Sequence, residues 1–378
     1  MITVFDEAQR AHDPQFFLSS GAAQPCPEKP ARVDALLGSV RALGGPVVQA
    51  PDAGIDPIRA VHPQRYLTFL QGIYARWSRI EGASSEVIPN IHPANRTDGY
   101  PLSAVGQAGF HMTDTSCPIS AQTWGAAYAS AQAAIAGSEA ILRGARQAYA
   151  LCRPPGHHAF AELAGGFCYL NNTAIAAQQL VLSGRKVAIL DVDLHHGNGT
   201  QGIFYDRPDV LTVSLHAHPE RYYPFFWGYA EETGRGEGEG FGDHGDVHTA
   251  QQLVDGLDRG ALPGSLADME DALADALEHR LYRFEGGALT GRHDGQRAGD
   301  GAAPHAVHQP ADVGGQLLRL RAGQQHAVVQ RVQETALGQP APLLHQLLVH
   351  DGDLPGRAAK ADQPQLQPET EGLPQADG

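Results

Sequence analysis

Val187-Ala188-Ile189-Leu190-Asp191-Val192-Asp193-Leu194-His195-His196-Gly197-Asn198-Gly199-Thr200 is the stretch from which the fold is read. Its first four residues form a short continuous apolar run. Such a run predicts a parallel strand covered on both faces. Acids and imidazoles follow at once, and open α/β sheets bind ligands outside the carboxyl ends of their strands. In an extended chain residues 191, 193 and 195 share a face, so Asp191, Asp193 and His195 converge. Two carboxylates held together are unfavourable unless a cation lies between them. Two Asp and one His suit a divalent metal such as zinc, with one further ligand and an open position. An acidic strand end closed by a capping turn would use the same residues.

Outward from this stretch, strand and helix patterns alternate. Met1–Phe5 reads as an opening strand. Pro30–Leu43 places Val33, Leu36, Leu37, Val40 and Leu43 on one helical face, and Gly44-Gly45 ends it. A second helix starts near Pro63 and carries Tyr66, Leu67, Phe69, Leu70, Ile73, Tyr74 and Trp77. Its proline suits a first helical position. Residues 81–119 show no period and read as a long surface loop. Ser120 is expected to cap an Ala-rich helix over 121–142. Ala148–Arg153 reads as a strand, Asn172–Leu182 as a helix, and Val210–Leu215 as a further buried strand. The alternation implies an α/β fold with a parallel sheet and helices on both sides.

Arg153-Pro154-Pro155-Gly156-His157-His158-Ala159 ends in tandem histidines after a Pro-Pro-Gly turn. Such a turn can present two imidazoles to one cavity, where a neutral ring takes a proton from an acidified water. An ordinary surface pair has the same pattern. Gly165-Gly166-Phe167-Cys168-Tyr169-Leu170-Asn171-Asn172 permits close backbone approach and can put Phe167 in a pocket wall or in the core. Gly234-Arg235-Gly236-Glu237-Gly238-Glu239-Gly240 is not a phosphate loop. No apolar strand leads into it, no Lys-Ser/Thr pair follows, and its glutamates would repel phosphate. It is expected to be a flexible loop.

The chain has 378 residues and a formal charge of 27 − 42 = −15. An acidic balance argues against a nucleic-acid binder, which needs a basic face. The four cysteines form no CxxC pair and no disulfide framework. The opening MITVFDEAQR lacks a signal-peptide pattern. No apolar run approaches the ~20 residues of a membrane helix. These features predict a soluble cytoplasmic protein without nucleic-acid or membrane partners. The averages conceal a break near Gly240. Residues 241–378 hold 20 acidic and 10 basic residues, a charge of −10, which leaves −5 for residues 1–240. That segment has no Ile, Asn, Trp or Cys, and its aromatics are Phe241, Tyr282 and Phe284. Core-building residues are therefore depleted there.

RPPGHHA, GGFCYLNN and ILDVDLHHGNGTQ resemble the histone deacetylase superfamily. TWGAAYAS (Thr123–Ser130) and GYAEETG (Gly228–Gly234) are similar to its bacterial acetylpolyamine amidohydrolase branch. The resemblance covers residues 1–240 and implies an open parallel-sheet arginase–deacetylase fold, incomplete at its C-terminal end. It implies zinc-dependent hydrolysis of an acetylated amine, either an acetylpolyamine or acetyl-lysine. Asp193 and His195 match two zinc ligands. His157 and His158 match the tandem catalytic histidines, His158 as general base and His157 as electrostatic or acid partner. Asp191 matches a residue that orients the site. Its backbone, with Asp193, His195, Ser214 and Leu215, matches a structural potassium site. Gly166 and Phe167 on one side and Tyr223 on the other match the substrate tunnel; the family more often has Phe at the second aromatic place. Acidic groups at a tunnel mouth favour polyamines, and Asp114, Glu231 and Glu232 are candidates that read equally as solvated surface charges. A homodimer is also implied.

The resemblance calls for two more residues, a zinc-binding Asp in Ser-Leu-Gly-x-Asp and a Tyr in Glu-Gly-Gly-Tyr. Neither pattern follows Gly240. Glu285-Gly286-Gly287 is followed by Ala288, and Asp351 stands in a different setting. Three readings of residues 241–378 remain: translation out of frame, a Gln/Gly/Pro/His-rich extension on an inactive binding module, or a divergent domain. Without later strands, the sheet would keep an open edge. Leu262–Leu281 and Ala327–Leu337 have helical spacing.

Overall fold

A computed structural model describes residues 1–93 and 98–238, together with strand residues 326–331. In chain order the first half runs β1 (Ile2–Phe5), β2 (Phe16–Ser19), β3 (Ala22–Pro25), α1 (Ala31–Ala42), β4 (Val47–Gln49), α2 (Asp56–Arg59), α3 (Gln64–Trp77) and α4 (Ala104–His111). It continues with α5 (Thr123–Leu142), β5 (Ala148–Ala150), α6 (Asn172–Leu182), β6 (Lys186–Asp191), α7 (Asn198–Phe204), β7 (Val210–Ser214) and β8 (His326–Arg331). Strands β4-β1-β5 form one parallel sheet and β7-β6-β8 another. Parallel strands flanked by helices make the α/β arrangement that the alternation implies.

Strand β6 is buried from Val187 to Asp191, as its unbroken apolar run requires. Its neighbour β7 is buried throughout. Helix α6 spans the residues its pattern predicts, and the Asn171 side chain caps it by accepting from the Ala174 N–H. Between α5, α6 and β6 a cluster forms around Ile141, Leu180, Val187, Ile189 and Phe204. Helix α3 buries Tyr66, Leu67, Phe69, Leu70, Ile73 and Trp77 against Val87, Met112, Ile119, Ile135 and Tyr169. Burying each such side chain contributes about 1.5–3 kcal/mol.

Several expectations change. The described residues of 81–119 are not a surface loop. Ser103 caps α4 within them by accepting from the Gly106 N–H, and Val87, Cys117 and Ile119 are buried. Their period is hidden because packing is supplied by α3 and not by the segment's own spacing. Ser120 does not cap α5, whose N-cap position is Gln122; the Ser120 N–H instead donates to Thr123 Oγ1. Leu43, at the end of α1, is 78% exposed and lies off the buried face. Residues 16–25 form an antiparallel hairpin that no alternation announces. The glycine-rich stretch is held down as far as Gly238. The Arg235 N–H donates to Tyr205 O, and the guanidinium pairs with Asp206 at 2.8 and 3.0 Å.

β6 also has a partner on its second edge. Strand β8 pairs with it in parallel from Lys186↔His326 to Asp191↔Arg331. The helical spacing read over 327–337 therefore gives way to a strand at its start. Tertiary pairing overrides local periodicity there. Leu262–Leu281, Glu285–Ala288 and Asp351 lie outside the described residues. No disulfide forms, and Cys26, Cys117 and Cys168 are buried thiols. Among the described residues no helix is long and apolar enough to cross a membrane.

Candidate active site

The Pro-Pro-Gly turn that leads to the tandem histidines is anchored from below by Arg153. This buried guanidinium pairs with Glu28 Oε1 at 2.7 Å and donates to the carbonyls of Gln9 and Glu28. Burial lowers its pKa to about 10, and the ring of acceptors keeps it cationic at neutral pH. His157 and His158 then lie side by side, ring centroids 3.9 Å apart, and both are buried.

Each ring is held by its Nδ1. His157 Nδ1 stands 2.8 Å from Asp191 Oδ2, and His158 Nδ1 stands 2.8 Å from Asn198 Oδ1. A carboxylate can only accept, so His157 carries its proton on Nδ1. The amide oxygen of Asn198 imposes the same on His158. In both neutral rings the basic nitrogen is then Nε2. Gly197 makes room for this arrangement. A Cβ there would fall 2.3 Å from Asp191 Oδ2 and 3.3 Å from His157 Nδ1.

The chain leaves β6 at Asp191 through two consecutive side-chain turns. The Asp193 N–H donates to Asp191 Oδ1 at 3.1 Å, and the His195 N–H to Asp193 Oδ1 at 2.7 Å. Each carboxylate thus binds the amide two residues on, which is how Asp organises a turn. Asp191, Asp193 and His195 are accordingly not a ligand trio on one strand face, because Asp191 is committed to His157. Asp193 and His195 remain as the pair, with His195 Nδ1 3.5 Å from Asp193 Oδ1. Asp193 is fully buried and its Oδ2 has no hydrogen-bond partner.

A buried carboxylate oxygen without a partner is costly unless a cation meets it. Asp193 Oδ2 and the His195 ring therefore fit a divalent metal as two of its ligands. Among the described residues no group of three or more His, Cys, Asp or Glu is placed to hold one. His196, the other half of the second histidine pair, points away from this place; its Nε2 lies 2.7 Å from Gln201 Oε1.

Gly166 brings its backbone onto the ring of His158. A Cβ there would fall 2.4 Å from His158 Cδ2 and 2.9 Å from Tyr223 Cε1, and its φ is +48°. Phe167 follows at φ +64°, with its ring edge-on to Phe17 of the hairpin at 5.4 Å. Tyr223 stands edge-on to His158 at 4.7 Å. Its hydroxyl donates to Asp114 Oδ2 at 2.6 Å, and burial first, then Asp114, pushes its pKa well above the ordinary tyrosine range. At the ends of β6 and β7, Asp191 and Ser214 are register partners, and the Leu215 N–H donates to the Asp191 carbonyl at 2.8 Å. Ser214 Oγ lies 2.9 Å from His216 Nδ1, and burial keeps His216 below the usual histidine range.

Two residues with work in this site carry no local signal. Asn198 reads only as part of a Gly-Asn-Gly turn, yet it orients His158. Asp114 reads as a surface acid, yet both of its oxygens are engaged. Glu232 is engaged as well, accepting from Gln201 Nε2 and the Gly228 N–H, whereas Glu231 is exposed.

Residues 26–255 match the family model described as histone deacetylase domain. Acetylpolyamine amidohydrolase 1 of Pseudomonas aeruginosa is 48% identical over 245 residues, which cover 64% of this chain and 70% of that protein. Acetylpolyamine amidohydrolase of Burkholderia pseudomallei is 46% identical over 242 residues, covering 64% and 70%. The crystal structure of acetylpolyamine aminohydrolase from Burkholderia pseudomallei superposes with a TM-score of 0.66 at 42% identity, covering 75% of this chain and 79% of that one.

Proposed function

The chain belongs to the histone deacetylase family, in its acetylpolyamine amidohydrolase-like branch, and we propose that it hydrolyses the amide of acetylated amines. Acetylated polyamines are the first substrate class, after the named activity of its relatives, and acetyl-lysine is the second. The observation that carries this reading is the pair of Nδ1-anchored histidines, His157 on Asp191 and His158 on Asn198, beside the unpartnered carboxylate oxygen of Asp193.

Zinc held by Asp193 and His195 would supply carbonyl polarisation and acidification of a water. His158, oriented by Asn198, takes the proton of the attacking water at Nε2. His158 then returns this proton to the departing nitrogen, while His157, backed by the Asp191 carboxylate, is the electrostatic or acid partner. Water adds to the carbonyl carbon, the C–N bond breaks, and acetate and amine leave. Gly166, Phe167 and Tyr223 form the walls of the slot that admits the acyl chain. Tyr223 is not the donor to the developing oxyanion, because its hydroxyl is given to Asp114. The family resemblance also suggests a structural potassium ion at the backbone of Asp191, Asp193, His195, Ser214 and Leu215.

Residues 1–240 are read as the catalytic domain of a cytoplasmic protein that can pair as a homodimer. Residues 241–378 are read as out-of-frame sequence, on their loss of Ile and Asn and of nearly all aromatics. Re-reading the gene downstream of the Gly240 codon tests this. Absence of Ser-Leu-Gly-x-Asp and Glu-Gly-Gly-Tyr from every frame overturns it. The activity is tested on the purified full chain with zinc, an acetylated diamine and an acetyl-lysine peptide. Chelator-sensitive acetate release is expected, impaired in this chain because neither Ser-Leu-Gly-x-Asp nor Glu-Gly-Gly-Tyr follows Gly240. Stoichiometric zinc binding without acetate release from either substrate overturns the reading.

A further inference from the structure

Asp114 sits between three segments that are remote in sequence. Its Oδ1 accepts the Ser116 N–H at 2.7 Å. Its Oδ2 accepts the Gly166 N–H at 2.9 Å and the Tyr223 hydroxyl at 2.6 Å, from residues 52 and 109 positions away. The same loop reaches the Ala164–Phe167 segment twice more. Ser116 O accepts the Phe167 N–H at 3.1 Å, and the Thr113 N–H donates to Ala164 O at 2.8 Å. The loop is itself tied to the hairpin that carries Phe17, since the Leu18 N–H donates to Thr115 O at 3.2 Å.

An acid that captures an incoming ammonium keeps its oxygens turned to solvent. Asp114 has spent both on the protein, and a carboxylate binds N–H and O–H donors more strongly than a neutral acceptor does. The backbone at Gly166 presses on the ring of His158, and Tyr223 meets the same ring edge-on at 4.7 Å. One carboxylate oxygen therefore fixes two contacts of one catalytic ring.

We propose that Asp114 is a positioning residue of the acyl-amine slot: through its Oδ2 it clasps the Gly166 amide and the Tyr223 hydroxyl, holding both walls against His158 so that the slot takes an unbranched acylated amine. This rests on the deacetylase reading for its substrate, but not for its geometry. A phenylalanine at 223 would have the same ring and no clasp.

The test uses the full chain, with Tyr223→Phe, Asp114→Asn and the double variant. Tyr223→Phe keeps the ring volume and guards against misfolding in Asp114→Asn. Losing a hydrogen bond to a charged acceptor is expected to raise KM for a linear acetylated diamine about tenfold. The change in kcat stays within about twofold, because uniform binding is what is lost. Discrimination against an amine branched beside the nitrogen should fall with it. The double variant should be no worse than Asp114→Asn alone, in KM and in denaturant midpoint, because both substitutions break one contact. Amide exchange across residues 164–170 should quicken in Asp114→Asn. Unchanged exchange there, with additive effects in the double variant, overturns the proposal. If the parent chain binds zinc without turnover, the deacetylase reading fails, and exchange and the stability cycle still decide this one.

Discussion

His157 Nδ1 lies 2.8 Å from Asp191 Oδ2, so the last residue of β6 holds the first of the tandem histidines across 34 residues of chain. The same carboxylate uses Oδ1 to accept the Asp193 N–H and start the turn that delivers His195. One side chain thus sets both the tandem-histidine half and the Asp193–His195 half of the site.

Asp191→Asn should separate these halves. An amide can still accept from the Asp193 N–H, but it no longer supplies the charge opposite His157. We expect kcat/KM for an acetylated amine to fall at least 100-fold, by about 3 kcal/mol or more of transition-state stabilisation. Steady-state kinetics and a thermal melt check it; a loss of activity that merely follows a loss of folding would contradict it.

Asp193→Asn should act in opposite directions with and without metal. The buried Oδ2 of Asp193 has no partner, and removing its charge relieves the metal-free protein. The metal-free variant should gain about 1 kcal/mol in urea unfolding. Added zinc should raise the melting temperature of the parent and leave that of the variant unmoved.

Acid should unfold the protein partly through His62. This buried ring uses Nδ1 toward Ala161 O at 2.8 Å, and its Nε2 accepts the Asn171 N–H at 2.9 Å. The neutral tautomer satisfies both contacts, and burial lowers its pKa to about 4 from 6.5. The unfolded chain therefore binds the extra proton first. Stability is unaffected above pH 6.5, falls between pH 6.5 and about 4, and is lowest below that, by about 3 kcal/mol from this group. Urea midpoints measured across that window should fall, with a shallower slope in His62→Gln.

Gly197→Ala should damage the site without a backbone penalty, because its φ of −76° is open to any residue. The added methyl would stand 2.3 Å from Asp191 Oδ2 and must displace it. We expect about 1–3 kcal/mol of destabilisation and a matching loss of activity. A crystal structure of the variant would show the His157–Asp191 pair opened.

Much of the fold is legible along the chain. The run Val187–Leu190 needs burial on both faces and therefore specifies a parallel strand, and α6 declares its own cap and stop. The polar residues after that strand and after Pro-Pro-Gly declare where chemistry gathers. Short-range rules reach this far because strand and helix periods and turn preferences are properties of neighbouring residues. Which acid meets which imidazole is a different kind of fact. Asp191 and Asp193 are alike in sequence, yet one is given to His157 and the other keeps an unpartnered oxygen. Asp114 looks like a solvated charge until the fold brings Gly166 and Tyr223 to it. Helix α4 has its place because α3 supplies the apolar surface it lacks, and residues 326–331 become a strand because β6 offers an edge. The sequence by itself determined β1, β5, β6 and β7, helix α6, and the places where acids and imidazoles gather. The tertiary structure alone decided the partners, because a hydrogen bond between residues 34 or 109 positions apart has no local signature.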